Sequence, residues 1–138
     1  MGKDMFIDEL GPILNNMVHS GDWKIRVAIA ENVQPLLYWL GPELFMKHFQ
    51  ELLETLCEDV VCEVRAVSLK SMLCLMDPQQ PESEGDELHW KEYILSFISR
   101  LASNRRYQLR ISSITIYSVS NHVIVFMTNQ PSYISSHR

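Results

Sequence analysis

The stretch Ser20-Gly21-Asp22-Trp23-Lys24-Ile25-Arg26 decides the fold, because it predicts a tight corner between two amphipathic helices. Asp22 stands where a side-chain acceptor can cap the second helix, and Trp23 lies at the bend. Two later stretches, 59–65 and 104–110, repeat the pattern of an Asp or Asn followed by an apolar residue and an Arg. Three such corners indicate a chain built from repeated helix pairs.

The helices that follow the corners carry the same apolar pattern. Counted from Ile25 and from Val64, both place the residues of one face at offsets 3, 4, 8 and 11. The separation of 64 − 25 = 39 residues is typical of helix-pair solenoids. Leu109 opens a third copy 109 − 64 = 45 residues later, and an acidic insertion accounts for the longer interval.

The spacing of apolar residues therefore predicts an all-α fold, an α-solenoid of about three helix pairs. The pairs cover about residues 5–40, 42–76 and 89–123, with an acidic insertion at 77–88 and a C-terminal tail at 124–138. The predicted core faces are Phe6, Leu10, Ile13, Leu14 and Met17; Ile25, Ala28, Ile29, Val33, Leu36, Leu37 and Leu40; Phe45, Phe49, Leu52, Leu53 and Leu56; Val64, Val67, Ser68, Met72 and Leu75; and Trp90, Ile94, Phe97, Ile98 and Leu101.

Glycine and proline residues mark the helix boundaries. The first helix either kinks at Gly11-Pro12 or begins its regular part at Pro12, because proline removes a backbone donor. Pro35 is expected to bend the second helix. Gly41 is a natural C-terminal cap for that helix, and Pro42 suits the first turn of the third.

For the sixth helix, the alignment with the other copies and the local residue propensity give opposite predictions. The run 111–117 is dense in β-branched residues, which favour a strand. Leu109-Arg110, however, occupies the place of Ile25-Arg26 and Val64-Arg65 in the other copies, so we predict a helix. The later apolar run 123–127 is too short to span a bilayer, and its pattern is equally compatible with a cap and with a face for a further repeat.

Composition excludes several classes of function. The 138 residues carry a formal net charge of −5, which disfavours binding to nucleic acid, since that requires clustered Lys and Arg. The three Cys do not have the spacing of a zinc or redox motif and predict buried, reduced thiols. No secretory signal or membrane span is expected, so the predicted compartment is the cytoplasm or the nucleus.

No residue pattern points to catalysis. The five His never fall at i, i+4 with one another, and neither a metal motif nor a Gly-rich phosphate loop is present in the sequence. Polar residues are expected on solvent-facing helix surfaces and not in a converging pocket. We therefore predict a protein that is not an enzyme and has no catalytic residues, metal site or cofactor.

The recurring corner residues have structural roles in the first instance. Each Asp or Asn is expected to accept hydrogen bonds from free amides of the next helix, which typically contributes about 1 kcal/mol. The arginines are placed to pair with an Asp of their own or an adjacent corner; they are Arg26, Arg65 and Arg110. Trp23 either packs under its own corner or is exposed to a partner, and this alignment gives it no counterpart at Val60 or Arg105.

Together these residues resemble HEAT repeats: Leu10-Gly11-Pro12-Ile13-Leu14 in the first helix, then a corner Asp and a Val/Ile-Arg pair. The runs 22–32 and 40–45 are similar to the scaffold (A) subunits of protein phosphatase 2A. Trp90 and the segment 104–110 resemble the next repeats of that scaffold, so the resemblance covers about residues 8 to 123. Repeat-built regulators of protein phosphatase 4 share much of the pattern. The insertion at 77–88 and the small number of repeats depart from the family.

The resemblance implies a non-catalytic scaffold that docks a serine/threonine protein phosphatase catalytic subunit through its corners, with other regulatory subunits as further partners. Carried over by position, it implies contacts at Asp22, Trp23, Asp59, Val60 and Tyr107. The alternative is a HEAT adaptor in transport or assembly, which binds a peptide or helix on its concave face. In that case Lys24, Glu31, Gln34 and Tyr38 would face the ligand.

Overall fold

The computed structural model describes residues 2–76 and 86–114, of which 86–88 as backbone only, and these residues form helices without any strand. The helices are α1 (Lys3–Met17), α2 (Trp23–Leu40), α3 (Pro42–Cys57), α4 (Cys62–Met72) and α5 (Asp86–Ala102). A 3₁₀ helix at Leu73–Met76 extends α4, and residues 107–114 form a further helix, α6. The predicted all-α class is confirmed. The predicted tail 124–138, residues 115–123 of the predicted third pair and residues 77–85 of the predicted insertion lie outside the described residues. Residues 86–88, which were predicted as part of the insertion, belong to α5.

The chain divides into two compact units, Met1–Ile94 and Leu95–Arg138, with the boundary inside α5. In the first unit α1 packs against α2 and α3, while α2 packs against α3 and most extensively against α4. The second helices of the first two predicted pairs thus lie side by side. The second unit contains the C-terminal part of α5, the corner at 103–106 and α6.

Gly41 joins α2 to α3 in one residue. Its φ of 87° lies in the region that side chains with a Cβ rarely adopt, so the chain needs glycine here. Its N–H donates to the Leu37 carbonyl at 2.8 Å and its carbonyl accepts from the Phe45 N–H at 2.9 Å. Pro42 follows at the first helical position, where the missing N–H costs no hydrogen bond. The predicted boundary is confirmed.

Neither internal proline ends its helix. α1 begins at Lys3 and continues through Pro12 to Met17, so its regular part does not begin at Pro12. α2 continues through Pro35 to Leu40. Both prolines are exposed, and on that side of a helix water can bond to the carbonyl that the proline leaves without a donor.

The predicted core faces of α3 and α5 are confirmed. All five predicted residues of α3 and all five of α5 are buried. In α4, Val64, Ser68 and Met72 are buried, and Leu75 is buried in the 3₁₀ helix that follows; Val67 is half-buried. The Ser68 hydroxyl is satisfied within the helix, because it donates to the Val64 carbonyl at 2.7 Å.

The predicted faces of α1 and α2 are only partly buried. In α2 the buried residues are Ile29, Ala30, Val33, Leu37 and Leu40, whereas Ile25 and Ala28 are exposed. In α1 none of the five predicted residues is buried: Phe6, Leu10 and Leu14 are half-buried, and Ile13 and Met17 are exposed. The buried residues of this helix are Ile7 and Gly11, so the predicted face of α1 is wrong, because tertiary packing turns a neighbouring side of the helix inward.

Candidate functional site

The first corner is built by Ser20, Asp22 and Arg26. The Ser20 hydroxyl accepts from the Asp22 N–H at 3.2 Å, and the Asp22 carboxylate accepts from the Lys24 N–H at 3.0 Å, which caps α2 as predicted. Arg26 Nη1 donates to the Ser20 carbonyl at 2.6 Å. The arginine of the first helical turn therefore closes the corner that precedes it.

The second corner repeats this arrangement with a carboxylate. Asp59 Oδ1 accepts from the Val61 N–H at 2.9 Å. Arg65 Nη1 donates to the Asp59 carbonyl at 2.8 Å and to the Val60 carbonyl at 3.1 Å. The N-cap position of α4 is Val61, which makes no side-chain cap.

The third corner repeats it with an amide. Asn104 Oδ1 accepts from the Arg106 N–H at 2.9 Å. Arg110 Nη1 donates to the Asn104 carbonyl at 3.1 Å and to the Arg105 carbonyl at 2.9 Å. In all three corners the arginine thus bonds the carbonyl six residues before it.

These bonds correct the predicted alignment of the corners by two residues. Ser20, and not Asp22, is the structural equivalent of Asp59 and Asn104, because each of the three accepts from the amide two residues ahead. Asp59 and Asn104 consequently stabilise the corner loop, because each accepts a hydrogen bond from a loop amide and not from an amide of the next helix. The corrected register also places Trp23 opposite Cys62 and Tyr107.

An ion pair ties the first corner to the second. Arg26 donates from Nε to Asp59 Oδ2 at 2.7 Å and from Nη2 to Asp59 Oδ1 at 3.1 Å, and the two side chains are only 12% and 7% exposed. The predicted pairing of an arginine with an adjacent corner Asp is confirmed here. A two-point contact of this kind fixes orientation as well as distance.

The electrostatics of the pair favour both charged forms. The hydrogen bond to Asp59 raises the pKa of Arg26 above its ordinary value. Burial by itself would raise the pKa of the Asp59 carboxyl, but the hydrogen bonds from Arg26 and the Val61 amide, with the charges of Arg26 and Arg65, outweigh it. The pKa of Asp59 therefore lies below its ordinary value. The charged carboxylate is used in hydrogen bonds to Arg26 and to the Val61 amide.

The other predicted contact residues are accessible. Asp22 and Val60 are exposed, and Trp23 is 41% exposed at the start of α2. In the second unit Tyr107 is exposed, with the Arg110 guanidinium 5.6 Å from its ring centroid. Since Asp59 is held within the fold, Trp23 and Val60 are the apolar contacts that the first two corners offer.

Three shallow clefts were not predicted, two between α1 and α3 and one on α3 alone. Their volumes are about 160, 290 and 340 Å³, and His48 lines all three. Asp8, Asn15 and Glu51 contribute further polar groups. None of the five predicted contact residues lines these clefts. Periodicity cannot reveal the two clefts between α1 and α3, because only packing brings their residues together.

The described helices also bear on two predicted absences. No helix within 2–76 or 86–114 is long and apolar enough to cross a bilayer. In the same residues no group of three or more His, Cys, Asp or Glu side chains is arranged to hold a metal ion. None of the three cysteines forms a disulfide; Cys57 is buried as predicted, whereas Cys74 is half-buried and Cys62 is exposed at the second corner.

No family model, no curated protein and no solved structure matches this chain. The class that can be stated is therefore an all-α protein whose corners share one hydrogen-bonding plan.

Proposed function

We propose that this protein is a non-catalytic scaffold of stacked HEAT-type helix pairs, which docks the catalytic subunit of a serine/threonine protein phosphatase on its corners. The observation that supports docking best is the contrast within each corner. Its polar groups are used to hold the backbone, while an apolar side chain stands exposed beside them. The choice of a phosphatase as partner rests on the sequence resemblance.

Rigidity of the first two corners favours a binding role. The ion pair between Arg26 and Asp59 links them, and the arginine bonds to corner carbonyls restrain both loops. A restrained loop loses little conformational entropy when a partner binds, so more of the contact energy appears as affinity. Trp23 and Val60 are thus displayed on a preorganised surface.

Trp23 is the expected anchor of the interaction. Tryptophan is enriched among residues that contribute most to binding at protein interfaces. With 41% of its surface exposed, Trp23 is partly open to solvent and available for contact. Tyr107, in the equivalent register position of the third corner, offers a second aromatic contact of the same kind.

The use of the polar groups at the corners supports the proposal of a non-catalytic role. Acid-base or nucleophilic catalysis requires side chains that converge on a bound substrate. At the corners, the carboxylate of Asp59 and the guanidinium groups of Arg26 and Arg65 are instead directed at backbone or at one another. These hydrogen bonds hold the corner loops in place.

Binding of a purified phosphatase 2A-type catalytic subunit to the immobilised chain, followed by biolayer interferometry, tests the proposal. Trp23→Ala is expected to weaken binding by about tenfold or more, which corresponds to about 1.4 kcal/mol. Trp39→Ala is the matched control, because Trp39 lies on the same helix and is 40% exposed but is not at a corner.

The proposal fails if the wild-type chain does not bind the catalytic subunit, or if Trp23→Ala and Val60→Ser leave binding unchanged. An equal loss in Trp39→Ala also contradicts it, since the effect would not belong to the corners. Far-UV circular dichroism establishes that each variant keeps its helices.

The adaptor function is the second candidate, and one observation favours it. Lys24, Glu31 and Tyr38 are exposed and Gln34 is half-buried, all on the side of α2 turned away from its buried residues. A peptide or helix could lie along this surface. If Glu31→Ala with Tyr38→Ala abolishes recovery of the major partner from cells while Trp23→Ala does not, the adaptor function is supported and corner docking is rejected.

A further inference from the structure

Acidic and basic residues are distributed unevenly between the two units. All 17 Asp and Glu residues lie within 1–94, whereas residues 95–138 contain five arginines and no acidic residue. The sequence of the second unit therefore has a formal charge of +5 in a protein whose total is −5. Four of these arginines belong to the described part of the unit: Arg100, Arg105, Arg106 and Arg110. An acidic ligand is attracted to this unit and not to the first.

The third corner concentrates the positive charge. Residues 104–110 include three of the arginines and have a formal charge of +3. The equivalent stretches of the other two corners, 20–26 and 59–65, have formal charges of +1 and −1. The corners therefore share one backbone plan but differ in the electrostatic potential that they present to a ligand.

Neutral amides stand where the second corner has carboxylates. Asn104 is in the position of Asp59, and Gln108 is in the position of Glu63. Asn104 Oδ1 accepts from the Arg106 N–H at 2.9 Å, which is the bond that the Asp59 carboxylate makes in its own corner. This loop bond thus needs no negative charge. The amides keep the local structure of the corner without neutralising its arginines.

Two contacts of Arg110 hold the exposed groups of this corner together. Arg110 Nη1 donates to the Asn104 carbonyl at 3.1 Å and to the Arg105 carbonyl at 2.9 Å. The Arg110 guanidinium also lies 5.6 Å from the ring centroid of Tyr107. The backbone of Arg105, the guanidinium of Arg110 and the ring of Tyr107 are therefore neighbours. The side chains of all three residues are exposed.

Both exposed guanidinium groups have donors available for a ligand. Within residues 2–76 and 86–114, Arg105 makes no side-chain hydrogen bond or ion pair. Arg110 uses Nη1 for the two carbonyls, and in the same part of the chain its Nε and Nη2 make no hydrogen bond. A guanidinium binds a carboxylate through two parallel hydrogen bonds, so each of these groups suits an acidic side chain.

We propose that the exposed side of the third corner binds a short acidic segment of a partner protein. We call this surface the basic corner; it consists of Arg105, Tyr107 and Arg110. The arginines donate to Asp or Glu carboxylates of the segment, and the Tyr107 ring packs against the apolar atoms between them. The choice of ligand follows from charge and does not depend on docking of a phosphatase, so the two proposals can fail separately.

The charge balance favours a peptide over a nucleic acid. Two exposed arginines neutralise few phosphates, whereas binding to nucleic acid typically relies on many such contacts. Residues 1–94 contain 12 − 5 = 7 Lys and Arg against 17 acidic residues, and their formal charge of −10 repels a long polyanion. A short segment gains the attraction of the basic corner and adds little of this repulsion.

Fluorescence anisotropy of fluorescein-labelled hexaglutamate, titrated with the full chain, tests the proposal. In about 50 mM salt the wild type is expected to bind with a dissociation constant of about 100 µM or lower. In about 500 mM salt binding should weaken by about fivefold or more, because the charges are exposed and are screened. Labelled hexaglutamine is the uncharged probe and is expected not to bind.

Two variants locate the site. Arg105→Glu is expected to weaken binding of hexaglutamate by about tenfold or more. Asn104→Asp should weaken it by about threefold, because it adds a negative charge beside the arginines. Asp59 shows that an aspartate supports the same loop bond, so this variant is expected to keep its fold. If Asn104 and the arginines only stabilised the corner, Asn104→Asp would leave peptide binding unchanged.

Lys70→Glu is the matched control for Arg105→Glu. It makes the same change of charge at an exposed cation of α4, in the first unit. Binding of hexaglutamate is expected to be nearly unchanged in this variant. Far-UV circular dichroism establishes that each variant keeps its helices.

Four results would overturn the proposal. They are a wild type that does not bind hexaglutamate in low salt, equal binding of hexaglutamine, unchanged binding in both Arg105→Glu and Asn104→Asp, and an equal loss in Lys70→Glu. A labelled oligothymidylate with the same number of charges as hexaglutamate provides the last comparison. Tighter binding of this oligonucleotide would assign the basic corner to nucleic acid and reject the acidic peptide.

Discussion

The first two helix pairs follow one plan and yet differ in what they bury. In both, an arginine in the first turn of the second helix closes the preceding corner by bonding the carbonyl six residues back. The residue immediately before that arginine differs in burial, since Ile25 is 37% exposed whereas Val64 is fully buried. The local geometry is thus repeated, but the energetic value of a position depends on its neighbour.

The corners differ in the same way. Ser20 and Asp59 make equivalent hydrogen bonds to the backbone, but only Asp59 also receives a guanidinium from the other corner. A repeat can therefore keep its local fold with serine, whereas the joint between repeats uses the carboxylate. Four substitution or pH experiments would test this difference between the two pairs.

The largest effect is expected at the ion pair. Asp59→Ala removes two hydrogen bonds from Arg26 and one from the Val61 amide, leaving a largely buried guanidinium without its carboxylate. We expect the free energy of unfolding, measured in urea, to fall by about 3 kcal/mol. Ser20→Ala at the equivalent position should cost less than about 1 kcal/mol. Equal losses would mean that the joint adds nothing to the corner.

Acid should remove part of the same stabilisation. Because the pKa of Asp59 is lower in the folded chain than its ordinary value near 3.9, its contribution is present above about pH 4 and is lost as pH falls further. The stability difference between wild type and Asp59→Asn should therefore be constant near neutral pH and shrink below about pH 4. A difference that is unchanged at pH 3 would show that the charge of Asp59 contributes nothing.

The next effect concerns the two helix faces. Val64→Ala should lower the free energy of unfolding by about 2 kcal/mol, because the site is fully buried. Ile25→Ala removes more carbon but should cost less than about 1 kcal/mol, since the side chain is already partly in water. Urea unfolding of the two variants measures both losses. The reverse order would contradict the assignment of an open face on α2.

The smallest effect concerns the helix caps. Asp22→Ala should cost about 1 kcal/mol, because Asp22 caps the Lys24 amide at the start of α2. α4 has no side-chain cap, so Val61→Thr should raise the free energy of unfolding by up to about 1 kcal/mol. Thermal melts of the two variants check both signs. A destabilising Val61→Thr would show that packing of the valine outweighs the cap.

Much of the fold could be predicted because helix periodicity and boundary residues act locally. The core faces of α3 and α5, the single-residue joint at Gly41 and the cap at Asp22 all follow from neighbours within a few residues. The continuation of α1 through Pro12 was not settled by sequence, since it depends on whether the carbonyl left without a donor faces water. Residues 111–114 are helical although the run 111–117 is rich in β-branched residues, as the register with the other corners predicted.

The candidate site was predictable only in part. Sequence pointed to Trp23, Val60 and Tyr107 at bends, and all three are exposed. It aligned Asp22 with Asp59, whereas the structural equivalent of Asp59 is Ser20, two residues earlier. The hydrogen bonds from Arg26 and Arg65 to the corner carbonyls reveal this equivalence, and the residue types alone do not. The clefts around His48 gave no signal; two of them combine residues that lie far apart in the sequence.

The amino-acid sequence by itself determined which segments are helical, where the corners fall and which residues recur in them, because these depend on periodicity and on hydrogen bonds between near neighbours. Tertiary structure alone decided which copy of a repeated position is buried and which corner carries an ion pair. The physical reason is that burial and charge pairing depend on what lies opposite. Ile25 and Val64 occupy one place in the repeat, yet only Val64 is buried.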